Sequence, residues 1–212
     1  RVISFLVILL PLMYFAALGA STILTYKARD LMAQGRWVDA SETLSRAALL
    51  MPTSDLVLVT HADLLRQAIT KLPRDAPERT ILFKEALVLL ENAEKQNPLR
   101  PQTFFIRGLL YNQNPNLVGG DWAVLAARAY ATALKRDPLA FWVREAYAGL
   151  LMWQGKSEQA KQILEEGVDY QYFGTAAVNY LIFLARARRQ AGELEGAATL
   201  ERRISEMTGR PV

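Results

Sequence analysis

The sequence contains no cysteine and only one histidine among its 212 residues. Without cysteine there is no disulfide framework, no thiolate zinc site and no cysteine nucleophile. The sequence also lacks a glycine-rich phosphate loop, a His-Glu-x-x-His pair and a Gly-x-Ser-x-Gly turn. The histidine, His61, lies within a helical pattern without placed partners, which favours a packed side chain over a catalytic base. These absences predict a protein that is not an enzyme and uses no metal and no cofactor.

Charge of either sign is moderate and evenly spread. The chain has 25 Lys and Arg against 21 Asp and Glu, a formal net charge of +4. The basic residues are scattered rather than clustered, whereas a nucleic-acid interface concentrates them on one face. Neighbouring acids have the spacing of solvated helix faces. We therefore expect neither nucleic acid nor a small-molecule substrate as a partner.

One spacing of small and large apolar residues recurs along the chain. A small residue is followed by a large one four positions later and by a second small one three positions after that, usually with a proline five positions further on. The copies are Ala40, Leu44, Ala47 and Pro52; Ala86, Leu90, Ala93 and Pro98; Ala126, Tyr130, Ala133 and Pro138; and Ala160, Leu164 and Gly167. This spacing places the three residues on one helix face, which a second helix can approach closely. Because another apolar-periodic segment precedes each copy, the repeating unit is a helix pair.

The helix pair resembles the tetratricopeptide repeat (TPR). The segment 104–111 is similar to the first helix of that repeat, with Gly108 at the small crossing position and Tyr111 at the aromatic one. The resemblance implies an all-α, right-handed solenoid of about five pairs over residues 21–211. The pairs are expected near residues 21–54, 55–100, 101–140, 141–174 and 178–211. The fold class implies a scaffold that binds proteins, but it does not specify an activity.

The segment 2–26 is uncharged and long enough to cross about 30 Å of hydrocarbon. It is too long for a cleaved signal peptide. We therefore predict a transmembrane helix over residues 1–26 that continues directly into the first repeat. The predicted protein is a single-pass protein of the bacterial inner membrane.

Small residues cluster within this segment. They are Ala16, Ala17, Gly19, Ala20 and Ser21. Small residues spaced four apart allow membrane helices to approach closely, so we expect a second membrane helix as a partner. A plain anchor in which the alanines have no packing role is the alternative interpretation.

The sequence leaves two alternatives for the side of the membrane on which the repeats lie. Lys27, Arg29, Arg36 and Arg46 follow the segment, and Arg1 alone precedes it, which favours repeats on the cytoplasmic side. A few basic residues ahead of Arg1 would reverse this count, and a periplasmic location is then expected.

In the TPR family the first helices of the pairs line a concave groove. We expect this groove to be lined by Phe105, Trp142, Met152, Trp153, Arg186 and Arg189. Aromatic residues and arginine are common at binding hot spots. The alternative is that the tryptophans belong to the core. A subset of the family grips acidic chaperone tails with a Lys/Asn/Arg clamp, which is absent here because Glu145 and Gly149 stand at two of its places.

Two functions follow from this architecture. The first is a membrane-anchored protein-binding scaffold, acting as an accessory subunit or assembly factor of a bacterial envelope complex, with a membrane protein among its partners. The second rests on a resemblance in architecture to the C-terminal repeats of the O-antigen ligase and polymerase family. In that case the chain is the tail of a multi-spanning glycan enzyme.

Overall fold

The computed structural model describes the backbone of residues 2–168 and 175–209 and the side chains of residues 11–168 and 177–209. Within these ranges the chain forms helices and no strand. The helices are α1 (Val2–Ala33), α2 (Trp37–Leu50), α3 (Asp55–Lys71), α4 (Glu78–Gln96), α5 (Pro101–Gln113), α6 (Pro115–Val118), α7 (Trp122–Arg136), α8 (Phe141–Trp153), α9 (Ser157–Glu165), α10 (Thr175–Gln190) and α11 (Leu194–Thr208). The chain divides into two compact units, residues 1–113 and 114–212. This division falls within the predicted third pair.

The recurring small and large residues lie in the cores of both units. The fully buried members are Ala40, Leu44, Ala47, Ala86, Leu90, Ala93, Ala126, Tyr130, Ala133, Ala160 and Leu164. Their helices are the second members of successive pairs. A small side chain on either side of a large one lets the partner helix approach closely while the large side chain fills the space between them. The predicted packing face is confirmed.

In the first unit, neighbouring helices pack in chain order. α1 packs on α2, α2 on α3 and α3 on α4, and α5 contacts both α3 and α4. Asp55 opens α3 and accepts hydrogen bonds from Arg100 Nε at 2.5 Å and from Asn97 Nδ2 at 2.7 Å. Its other oxygen accepts the Leu56 backbone N–H at 2.9 Å. One carboxylate thus ties the start of α3 to the segment that follows α4.

In the second unit, α7 to α11 also pack in chain order, and α8 contacts α10 as well. Arg144 on α8 is 4% exposed. Its guanidinium donates hydrogen bonds to the carbonyl oxygens of Pro138 at 3.0 Å and Ile163 at 2.8 Å. A buried cation requires such acceptors because desolvation otherwise makes burial costly. Arg144 therefore joins the start of α8 to the last turn of α9.

Glycines with positive φ terminate three of the first helices. Gly35 follows α1 with a φ of 75°, Gly155 follows α8 with a φ of 74°, and Gly192 follows α10 with a φ of 88°. Only glycine adopts this conformation without steric cost, so it is the common residue just past a helix end. Each turn reverses the chain and begins the second helix of its pair.

The transmembrane helix predicted for residues 1–26 is wrong. Among the residues that the structure describes, no helix combines the length and the apolar character needed to cross a bilayer. α1 continues to Ala33, and its later turns pack inside the first repeat, where Ser21 and Thr25 are buried. The Ser21 hydroxyl donates a hydrogen bond of 3.0 Å to the carbonyl oxygen of Ala47 on α2. An apolar helix face suits a protein core as well as lipid, which is why composition misled the prediction. The predicted single-pass localisation in the bacterial inner membrane is wrong for the same reason.

The small residues of α1 differ in their surroundings. Ser21 contacts α2 rather than a separate helix. Ala16, Gly19 and Ala20 are exposed, and Ala17 is partly buried. Packing of a second helix on these residues stays a prediction.

Candidate functional site

The ends of α8 and α10 form a cleft of about 340 Å³ in the second unit. Met152 and Trp153 close α8, and Arg186, Arg189 and Gln190 occupy the last turns of α10. The two helices are the first members of successive pairs, so their C-terminal turns lie side by side. The cleft therefore combines an apolar wall from α8 with a polar wall from α10.

Trp153 is the most exposed side chain of the apolar wall, at 71%. Its indole packs against that of Trp122, which opens α7, with ring centroids 4.9 Å apart and an interplanar angle of 59°. Tilted aromatic pairs of this kind contribute about 0.5–1.5 kcal/mol beyond the area they bury. Trp122 thus holds Trp153 in place while most of the second indole stays in contact with solvent.

The two arginines of the polar wall differ in their partners. Arg189 binds Glu201 of α11 through one nitrogen, Nη2, which donates to the two carboxylate oxygens at 2.6 and 2.7 Å. Arg186 is exposed and forms no ion pair within the described ranges. The guanidinium of Arg186 is therefore available to an anion, whereas that of Arg189 is already neutralised.

A second, more polar cleft of about 350 Å³ adjoins the first one, and Gln190 lines both. Its other lining residues are Gly155, Lys156, Ser157, Glu158, Gln159 and Ala191. Lys156 is exposed, and no ion pair involves it in the part of the chain that the structure describes. The acid of this cleft, Glu158, is paired with Lys161 at 2.7 Å.

Lys161 also binds Glu193, with a distance of 2.5 Å between Nζ and Oε1. The hydrogen bonds to Glu158 and to Glu193 raise the pKa of Lys161 above its ordinary value. The hydrogen bond from Lys161 lowers the pKa of Glu193. Both acids beside the polar cleft are thus already paired with Lys161, and neither of them forms an ion pair with Lys156.

The structure gathers four of the six predicted groove residues around one cleft. They are Met152, Trp153, Arg186 and Arg189. Phe105 belongs to the first unit, where it is partly buried on α5. Trp142 is partly buried and packs edge-to-face on Phe141, with centroids 5.2 Å apart, and it does not line the cleft. Binding of a partner by these six residues stays a prediction.

Sequence reasoning missed Trp122, Gln190 and Lys156. The segment before Trp122 contains two glycines, and Asp121 precedes α7 as its N-cap residue. This pattern predicts a helix start, but it does not indicate that the indole packs on a residue of the next helix. Gln190 and Lys156 lie at helix ends, where polar residues are ordinary. Only the side-by-side arrangement of α8 and α10 makes them part of a site.

Outside the two clefts, the acidic side chains and His61 are the residues that could bind a metal ion or exchange a proton. No group of three acidic, histidine or cysteine side chains in the described ranges is placed to hold a metal ion. Burial lowers the pKa of His61, and the charge of Glu85 opposes this shift only in part. This shift favours the neutral form of the imidazole.

Comparison with known proteins identifies the fold. No family model matches the sequence, and no curated protein matches it. The structure is similar to that of TTC0263, a thermophilic TPR protein of Thermus thermophilus, with a TM-score of 0.66, 14% identity and coverage of 90% of this chain and 93% of that chain. It is also similar to MamA of Desulfovibrio magneticus RS-1, with a TM-score of 0.61, 11% identity and coverage of 88% and 94%. A third similar structure is YrrB, described as a TPR protein with an unusual peptide-binding site, with a TM-score of 0.56, 11% identity and coverage of 88% and 85%.

At these identities the likeness shows the fold alone. The predicted all-helical, TPR-like fold is confirmed. The predicted membrane anchor and the link to the O-antigen ligase and polymerase family gain no support from these structures.

Proposed function

We propose that the protein is a protein-binding TPR scaffold that docks a segment of a partner in the cleft between α8 and α10. The observation that carries this proposal is the solvent-exposed indole of Trp153, held against Trp122 and placed beside the exposed guanidinium of Arg186. Because the contact with Trp122 already restricts the Trp153 side chain, this side chain loses less conformational freedom when a partner covers it. Covering it removes a large apolar surface from water.

The residue types of the cleft fit this function. Tryptophan and arginine are enriched among the few interface residues that carry most of a binding energy. The volume of about 340 Å³ lies at the lower end of the range for ligand pockets. It suits one or two side chains of a partner segment better than a large folded surface.

The TPR fold is compatible with this function, since YrrB is described as having a peptide-binding site on the same fold. The envelope-complex role and the glycan-enzyme alternative both rested on the transmembrane helix. The protein-binding function is proposed without them.

Selection from a library of random peptides of twelve residues, displayed on phage, tests the proposal. The immobilised targets are the wild type, the variant Trp153→Ala and the control variant Leu139→Ala. Leu139 is an exposed apolar residue of the same unit that lines neither cleft. Circular dichroism establishes that each target is folded.

We expect the wild type and Leu139→Ala to enrich the same peptides and Trp153→Ala to lose them. If no enriched peptide depends on Trp153, the cleft is not the docking site and the proposed function is wrong.

A further inference from the structure

We propose that the occupant of this site is a short acidic segment of a partner protein, with an apolar or aromatic side chain on Trp153 and carboxylates on Arg186 and Lys156. This inference rests on the proposed function and names the chemistry of its ligand. It depends on which charges around the two adjoining clefts are already neutralised and which are not.

Each of the four acids near the clefts forms an ion pair, and together they share three cations. Glu158 and Glu193 share Lys161, and Glu201 holds Arg189. Glu165, on the last turn of α9, accepts hydrogen bonds from Arg188 at 2.8 and 3.1 Å. These acidic side chains around the site are therefore committed to partners within the unit.

Two cations that line the clefts, unlike these acids, have no ion-pair partner in the described part of the chain. Arg186 lines the apolar cleft and Lys156 lines the polar one, and within the described ranges neither has an ion pair. Because the clefts share Gln190, one short segment can reach both cations. The described lining residues of the two clefts thus present two uncommitted positive charges and no uncommitted negative one, which is complementary to an acidic ligand.

The backbone of the polar cleft favours an anion as well. α9 begins at Ser157, and its N-cap residue Lys156 makes no side-chain hydrogen bond to the helix. Backbone N–H groups in the first turn of a helix have no intrahelical acceptor, and the helix dipole is positive at this end. Ser157, Glu158 and Gln159 of this turn line the cleft. A carboxylate bound near Lys156 would therefore also lie near these N–H groups.

The apolar cleft determines the other part of the ligand. Met152 and Trp153 offer it a thioether and an exposed indole, with the Arg186 charge beside them. If the ligand has an acidic residue next to an apolar or aromatic one, its carboxylate can lie against Arg186 while the apolar side chain lies against Trp153. An acidic stretch without an apolar residue would leave the indole in water and lose the hydrophobic part of the binding energy.

The phage selection described above also tests this inference, through the composition of the peptides whose enrichment depends on Trp153. We expect Asp and Glu to be over-represented next to aromatic or large apolar residues, relative to the unselected library. Dependence on Trp153 with neutral or basic sequences would overturn the acidic ligand while the proposed function stands. Absence of any dependence on Trp153 would overturn both.

Affinity measurements with one enriched acidic peptide sharpen the test. The peptide is compared with its counterpart in which Asn and Gln replace Asp and Glu. Arg186→Gln and Lys156→Gln are compared with the control Arg202→Gln, an exposed arginine on α11 that lines neither cleft.

We expect the amide peptide and Arg186→Gln each to weaken binding by about tenfold or more, Lys156→Gln to weaken it severalfold, and Arg202→Gln to leave it unchanged. Affinity should also fall as salt concentration rises, since the charges are exposed. Equal affinities for the acidic and amide peptides would overturn the inference.

Discussion

The hydroxyl of Tyr180 on α10 donates a hydrogen bond of 2.5 Å to the carbonyl oxygen of Leu164 on α9. A Cβ atom at Gly167 would overlap that same hydroxyl and would lie 2.7 Å from Cδ of Arg144. Glycine at this position therefore permits a close approach that the buried tyrosine and arginine need. The role is steric, because the backbone of Gly167 is not among those with positive φ.

We predict that Gly167→Ala destabilises the protein by about 1–3 kcal/mol through overpacking. Chemical denaturation followed by circular dichroism measures the change. The matched control is Gly149→Ala within α8, where the added Cβ has its nearest neighbour, Phe183 Cε1, at 3.9 Å. Alanine is the better helix former, so the control should be neutral or stabilising by up to about 1 kcal/mol. Equal effects of the two substitutions would show that Gly167 has no special role.

A second prediction concerns Asp55. Burial raises the pKa of this carboxyl, but the hydrogen bonds from Arg100 and Asn97 and the charge of Arg100 outweigh burial, so its net pKa is lowered. A lowered pKa in the folded state stabilises the fold above the unfolded pKa of about 3.9, and this stability is lost as pH falls through the folded pKa. We expect Asp55→Asn to lower the free energy of unfolding by about 1–3 kcal/mol at pH 7 and to change it little below the folded pKa of Asp55.

The control for Asp55 is Asp39→Asn, which removes an exposed ion pair of 2.7 Å with Arg36. Exposed ion pairs contribute about 0–1 kcal/mol to the free energy of unfolding. Urea unfolding at a series of pH values measures both variants. A loss at pH 7 that is no larger for Asp55→Asn than for Asp39→Asn would contradict the assigned role of Asp55.

A third prediction concerns Glu145 on α8. Its Oε1 atom is buried without a hydrogen-bond partner among the described residues, and burial raises the pKa of the carboxyl. A raised pKa of an acid means that ionisation costs the folded state more than the unfolded one. That cost is present at pH 7 and disappears as pH falls below the unfolded pKa.

Glu145→Gln should therefore increase the free energy of unfolding at pH 7, and the gain should shrink in acid. Thermal unfolding at neutral and acidic pH measures it. Glu206→Gln, at an exposed position on α11, is the control and should change little. Destabilisation by Glu145→Gln at pH 7 would show that the carboxylate has a favourable partner in the fold.

The single histidine permits a direct measurement of a fourth prediction. Burial lowers the pKa of His61, with a smaller opposing effect from Glu85. Proton NMR of the imidazole should therefore give a folded-state pKa below the ordinary value of about 6.5. For a base with a lowered pKa, stability is lost as pH falls from the unfolded pKa towards the folded one. A measured pKa above that of the urea-unfolded chain would contradict the burial of His61.

The repeat cores could be predicted because their signal is local. Ala86, Leu90 and Ala93 lie on one helix face by spacing alone, and any helix that packs on that face buries them. Met152 and Trp153 were placed in the groove for a similar reason, since the repeat positions them at the end of a first helix. The contact between Trp122 and Trp153 could not be predicted, because it depends on how α7 and α8 pack.

The error at α1 has a different cause. The face that carries Ser21 and Thr25 is uncharged in sequence, and such a face suits hydrocarbon and protein core equally well. The hydrogen bond from Ser21 to the Ala47 carbonyl of α2 distinguishes the two, and it is visible only in the structure. The sequence also could not show that Phe105 and Trp153 belong to different units, because that division depends on how the helices pack.

We propose that Trp153 serves binding rather than the core. Peptide affinity and the free energy of unfolding, both measured for Trp153→Ala and the wild type with one peptide enriched by the wild type, test it most directly. We expect affinity to fall by about 30-fold or more, equivalent to about 2 kcal/mol, while stability falls by about 1.5 kcal/mol or less from loss of the aromatic pair. An unchanged affinity, or a stability loss of about 3–5 kcal/mol as for a core tryptophan, would contradict the claim.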